Sequence, residues 1–211
     1  CRNTIIPTSV TKIGASAFYK CTALTNIEIP NSITSIGLTA FYECTNLTTI
    51  EIPSSVTKIA PATFQSCHNL ESVVIPNTIT SIGEYAFSDC LAMTALEIPA
   101  SVISIGEFAF DETPSLTRIV VDSNNMVYDS RNNCNAVIET SSNKLLFGCQ
   151  NTMIPSTVTR IAEGAFYGCN HLETINIPAS VAQIDWIAFA YCDNLASVTM
   201  NSVTPPNLGD N

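Results

Sequence analysis

Prolines recur at positions 7, 30, 53, 76 and 99, then at 155 and 178, and each follows an isoleucine. A spacing of 23 residues kept this often restricts the fold severely, because such a period marks supersecondary units that stack along one axis. Cutting on it gives seven copies, at 6–28, 29–51, 52–74, 75–97, 98–120, 154–176 and 177–199. Two of them read "IPNSITSIGLTAFYECTNLTTIE" (29–51) and "IPSTVTRIAEGAFYGCNHLETIN" (154–176).

Each copy keeps apolar residues at spacing three then two, as in Leu24, Ile27 and Ile29 or Leu70, Val73 and Ile75. That is the L-x-x-L-x-L strand of a leucine-rich repeat, with ladder side chains pointing into the coil and the residues between them pointing out. A second apolar pair follows, Ile33 with Ile36 or Val56 with Ile59, then a small residue such as Gly37 or Ala60. A phenylalanine (18, 41, 64, 87, 110, 166, 189) fills the interior behind it. No unit can bury these faces alone, so stacking at the ~4.8 Å inter-strand spacing must build a continuous core. Proline sits just past the last ladder residue, where a missing N–H costs little.

The unit, with Ile-Pro, Ile-Gly, Ala-Phe, Cys and Leu at fixed offsets, closely resembles the BspA-like leucine-rich repeats of bacterial surface proteins. Thr113 in the Cys place, Asp185 after Ile184 and Met93 for Leu are its departures. Period and resemblance together predict one domain over 1–211, an α/β leucine-rich-repeat solenoid of right-handed coil. Parallel short strands would line one face and short helical or irregular turns the other.

Residues 121–153 interrupt the period. Apolar runs at Ala136 to Ile138 and Lys144 to Phe147 flank the turn-forming Thr140-Ser141-Ser142-Asn143, the signature of an inserted β-hairpin. Pairing Glu139 with Lys144 would set Cys134 opposite Cys149, either as a cross-strand disulfide or as two packed thiols. The exit "CQNTMIP" (149–155) is nearly copied by "CRNTIIP" (1–7). Cys1 therefore reads as an interior residue of a longer array, the alternative being a lipid-bearing first cysteine. "LGDN" (208–211) resembles "IGEY" (82–85), as though another copy were beginning.

Eighteen acidic against eight basic residues give a net charge of −10, which disfavours nucleic acid and anionic membrane surfaces as partners. No apolar run approaches the ~20 residues of a membrane helix, so this stretch carries no direct membrane insertion. Six cysteines (21, 44, 67, 90, 169, 192) share one repeat position, which reads as a buried ladder of thiols rather than a metal site. His68 and His171 stand at different offsets and read as solvated loop residues. With no nucleophile, zinc or phosphate-loop motif, neither catalytic residues nor cofactors are expected.

The sheet surface remains. Its outward columns read Asn26, Thr49, Ser72, Ala95, Arg118, Thr174, Ser197 and Glu28, Glu51, Val74, Glu97, Val120, Asn176, Thr199. The glutamates form an acidic edge that either meets a basic partner or keeps the sheet soluble. Tyr85 and Phe108 share an offset, with Trp186 one place away; they are interface anchors or are covered by the hairpin. The resemblance implies export to a bacterial surface and adhesion to host matrix or other cell-surface proteins. The alternative is a spacer solenoid that displays another domain.

Overall fold

The computed structural model describes residues 4–202 and 205–209. Cys1, Asp210 and Asn211 lie outside them, and with these the reading of Cys1 and the end of "LGDN".

Parallel strands run down the molecule in two ladders, not one. The first is made of the leucine-rich segments: Thr49–Glu51 pairs Ser72–Val74, Ala95–Ile98 pairs Arg118–Val121, and Thr174–Ile177 pairs Ser197–Met200. The second uses two-residue strands. Lys12–Ile13 pairs Ser35–Ile36; Lys58–Ile59, Ser81–Ile82 and Ser104–Ile105 pair in sequence. Isoleucine stacks on isoleucine at every step.

Of the short helical or irregular turns expected on the other face, the irregular ones form. Among the described residues the single helical element is a three-residue 3-10 turn, Arg131–Asn133. The reason lies in the backbone. In every copy, two places in the turn take positive φ: Thr39 and Glu43, Ala62 and Ser66, Tyr85 and Asp89, Phe108 and Glu112, Gly164 and Gly168. A left-handed residue on each side of the recurrent phenylalanine ends any helix before its first turn closes. The fold is a β-solenoid, not an α/β repeat.

Stacking of like on like fills the core. The rings of Phe18, Phe41, Phe64, Phe87 and Phe110 lie parallel with centroids 5.0–5.4 Å apart. The thiols of Cys44, Cys67, Cys90 and Cys192 donate to phenylalanine carbonyls of the preceding coil at 3.0–3.4 Å. Burial pushes the thiol pKa of Cys44 and Cys169 up to about 12, so these groups stay protonated. Thr113 replaces the thiol donor by bonding its own coil, Thr113 Oγ1 to the Phe110 carbonyl at 2.8 Å. On the surface, hydroxyls of Thr34, Thr48, Thr80 and Thr117 donate to the threonine carbonyl one coil back at 3.1–3.3 Å. Threonine thus couples neighbouring coils where a charged side chain would serve only solvation.

The segment after Val121 is woven into the array. Tyr128–Asp129 and Lys144–Gly148 both pair antiparallel with Ala136–Glu139, in the Glu139 to Lys144 register. Lys144 and Leu145 also pair in parallel with Arg160 and Ile161, so this strand is a rung of the second ladder. Phe147 stacks on Phe110 at 4.8 Å, and Cys149 is buried. Residues 144–153 are therefore a shortened coil.

On the first ladder, among the described residues, no strand fills the matching place, and asparagines stand in for it. Asn135 accepts from Ile119 N–H at 3.4 Å and donates to the Asn151 carbonyl at 3.3 Å. Asn151 in turn donates to the Thr117 carbonyl at 3.2 Å.

Candidate functional site

The predicted surface residues fall into two groups. Asn26, Glu28, Thr49 and Glu51 are exposed and surround a shallow depression of about 440 Å³ with Pro30 and Pro53. Among the described residues the first ladder is open at this step, as it is between Ser72–Val74 and Ala95–Ile98: Glu28 bridges back to Ile5, whereas Thr49–Glu51 pairs forward. Two like charges in one register disfavour closing it. Glu97 and Arg118 are brought together further along as an exposed ion pair of 2.7 Å.

The second group is more concentrated. A regular coil places four residues between its second-ladder isoleucine and its phenylalanine, as from Ile82 to Phe87, whereas the shortened coil places only Leu146 between Leu145 and Phe147. The missing turn leaves coils 98–120 and 154–176 facing each other across a cleft of about 360 Å³. Leu146 and Phe147 are among its lining, and Phe108, Tyr167 and Trp186 stand on its walls. Tyr85 stacks on Phe108 at 5.4 Å from outside the cleft.

The cleft is bridged at the turn. Phe108 leans across to Gly164, where a Cβ would come within 2.5 Å of its ring, and meets Tyr167 edge-on at 6.4 Å. Glu112 N–H donates to the Tyr167 carbonyl at 3.2 Å, a bond made between successive full coils elsewhere. Two repeat-to-repeat bonds are interrupted here among the described residues: Tyr85 N–H reaches the Glu107 carbonyl and Gly164 N–H the Trp186 carbonyl, but Phe108 and Glu163 are not so linked, and the Ala165 carbonyl accepts from Gly148 N–H at 2.9 Å instead of from Phe110. The hairpin does not cover the aromatics. Phe108 is half-buried and Trp186 is 48% exposed.

Charge is unevenly distributed. Lys144 and Arg160 both bond Asp185, at 3.8 and 2.8 Å. Glu107 and Glu163 are exposed on opposite walls, and Asp111 lies deeper. Burial, with the charges of Glu112 and Asp89, pushes the Asp111 carboxyl up to about 6 against a hydrogen bond from Ser88. Its Oδ1 is buried without a partner among the described residues. Sequence reasoning passed over Asp111, although it stands where other coils carry Tyr19, Tyr42 or Tyr167, in the coil that also loses its cysteine.

Cys134 and Cys149 are not juxtaposed as expected. An irregularity between Val137 and Ile138 pairs Ala136 with Gly148, so the register carried outward sets Asn135, not Cys134, beside Cys149. Both are free, buried thiols, and Cys149 Sγ donates to the Asn135 carbonyl at 3.5 Å. His68 meets Asp89 at 2.9 Å and His171 the Pro114 carbonyl at 3.0 Å. Among the described residues no group of three or more His, Cys, Asp or Glu is placed to hold a metal, and no helix is long and apolar enough to cross a membrane.

The sequence profile described as BspA type leucine rich repeat region matches residues 1–117, 57–143 and 138–210. No curated protein matches the chain. Among solved structures it is similar to a leucine rich cell surface protein of Faecalibacterium prausnitzii, with 27% identity and a TM-score of 0.60 over 91% of this chain and 70% of that one. A leucine-rich repeat protein of Bacteroides ovatus is 30% identical, with a TM-score of 0.61 over 95% of this chain and 43% of that one. The pneumococcal vaccine antigen PcpA shares the fold, with a TM-score of 0.77 at 22% identity over 94% of this chain and 50% of that one.

Proposed function

Because the chain belongs to the BspA-type leucine-rich repeat family, we propose that it is a non-catalytic protein-binding module of an exported bacterial surface protein, adhering to host matrix or cell-surface proteins. One observation carries this reading: the array loses its regularity where Phe108, Tyr167 and Trp186 gather around a concave cleft. Aromatic anchors beside a pocket are what protein interfaces use as hot spots, whereas a spacer has no need to cluster its departures. The described cell-surface character of the Faecalibacterium protein supports the same location for this one.

Interferometry of the whole chain against immobilised matrix and serum proteins tests it. Saturable binding that Trp186→Ala weakens, and that Tyr19→Ala on a distant coil does not, is the expected result. A folded chain that binds no member of the panel favours the spacer instead.

A further inference from the structure

The cleft has the makings of a receptor for one kind of side chain. Its aromatic walls, Phe108, Tyr167 and Trp186, offer ring faces and edges to an apolar stem or a flat group. Its charged residues are four carboxylates, Glu107, Asp111, Glu163 and Asp185, against two cations, Lys144 and Arg160. Both cations are engaged by Asp185 at one end. The charge left over among the lining residues is therefore negative.

A phosphate or a carboxylate ligand is repelled by this arrangement, and a purely apolar one leaves the acids without a partner. A planar cation on a methylene stem answers both requirements. It stacks on a ring while its N–H groups reach carboxylates, and a net charge of −10 draws basic partners toward the molecule. Resting on the protein-binding reading above, we propose that this cleft seats an arginine side chain presented by a protein partner. Glu107 and Glu163 supply the counter-charge at the mouth, and Trp186 the stacking face. Asp111, deeper in the lining, adds to the negative charge that favours a cation there.

Trp186 is the single tryptophan of the sequence, so its emission reports on this cleft alone. The whole chain is titrated with acetyl-Gly-Arg-Gly-amide and with its citrulline counterpart, which keeps the shape and loses the charge. The expected result is a saturable emission change with the arginine peptide and an affinity about tenfold lower for citrulline. Glu163→Gln, an exposed substitution that keeps the tryptophan, lowers the arginine affinity about fivefold, while Glu71→Gln, exposed on coil 52–74 and outside the cleft lining, leaves it unchanged. Equal responses to arginine and citrulline overturn the proposal, as does a response indifferent to Glu163→Gln. If the chain binds immobilised proteins but the arginine peptide leaves Trp186 unaffected at millimolar concentration, the arginine assignment falls and protein binding stands. If the peptide binds and no panel protein does, the assignment stands and adhesion falls.

Discussion

Coils 29–97 and the shortened coil 144–153 fill the same solenoid with different amounts of chain. In the regular coils each repeat position lies on its own counterpart: Phe41, Phe64 and Phe87 stack at 5.3–5.4 Å, and in the second ladder Ile59 meets Ile82. The shortened coil keeps Leu145 in the ladder, Phe147 in the ring stack and Cys149 in the core, and it discards the turn. Core continuity therefore requires one ladder residue, one ring and one small buried side chain per rung. The turn is dispensable for stacking, and its loss creates the concavity on which binding is proposed.

The largest effect expected is in the regular stack. Phe87 is fully buried between two rings, so Phe87→Ala should cost about 3–5 kcal/mol in urea unfolding. Phe147, half-buried and stacked on Phe110, should cost about 1–2 kcal/mol when cut to alanine. Equal losses would break the comparison, because they would make the shortened coil as tightly packed as its neighbours.

Gly164 sharpens the contrast. Its φ is +62°, and a Cβ there would stand 2.5 Å from the Phe108 ring. Gly164→Ala should cost about 2 kcal/mol through strain and displacement of that ring. Ala62 holds the same place in a regular coil with φ of +51°, and Ala62→Gly should change stability by less than about 1 kcal/mol, since relief of strain and added chain entropy oppose each other. A Gly164→Ala protein that melts with the parent would show that Phe108 does not rest where it is placed.

What could be read from the chain follows from how local each signal is. The L-x-x-L-x-L ladder and the phenylalanine stack were legible because buried side chains leave a fixed spacing. The second ladder was not: two residues such as Lys58–Ile59 are too short to show alternation. The positive-φ positions were also hidden, since Thr39, Glu43, Ala62 and Ser66 are not residues that announce a left-handed turn. Cys134 was displaced by a one-residue irregularity that no composition signals. For the cleft, the offsets of Phe108 and Trp186 showed that they share one edge of the array. That they line one concavity depended on Leu145 taking a ladder place, a long-range pairing absent from local sequence.

Asp111 gives a pH test of the cleft. Its carboxyl is raised from 3.8 to about 6, chiefly by burial, so the native state holds this proton more tightly than the unfolded chain. Stability is then free of the penalty below the lower value, declines as pH rises between the two, and carries the whole penalty above the higher. Asp111→Asn should accordingly stabilise the protein at pH 8 by about 3 kcal/mol relative to its effect at pH 3.5. A difference that does not vary with pH would place Asp111 in water rather than in the wall.

The smallest effect belongs to the acidic edge, where Glu28 and Glu51 occupy one register and the ladder between them stays open. Both are exposed, so their repulsion acts through solvent and is screened within about 10 Å at moderate salt. Glu51→Gln should raise stability by at most about 0.5 kcal/mol at low ionic strength, and the gain should vanish in high salt. A salt-independent gain would mean that side-chain packing, not charge, holds this step apart. A loss would mean that Glu51 meets an unrecognised donor and that the edge is built to keep its charge.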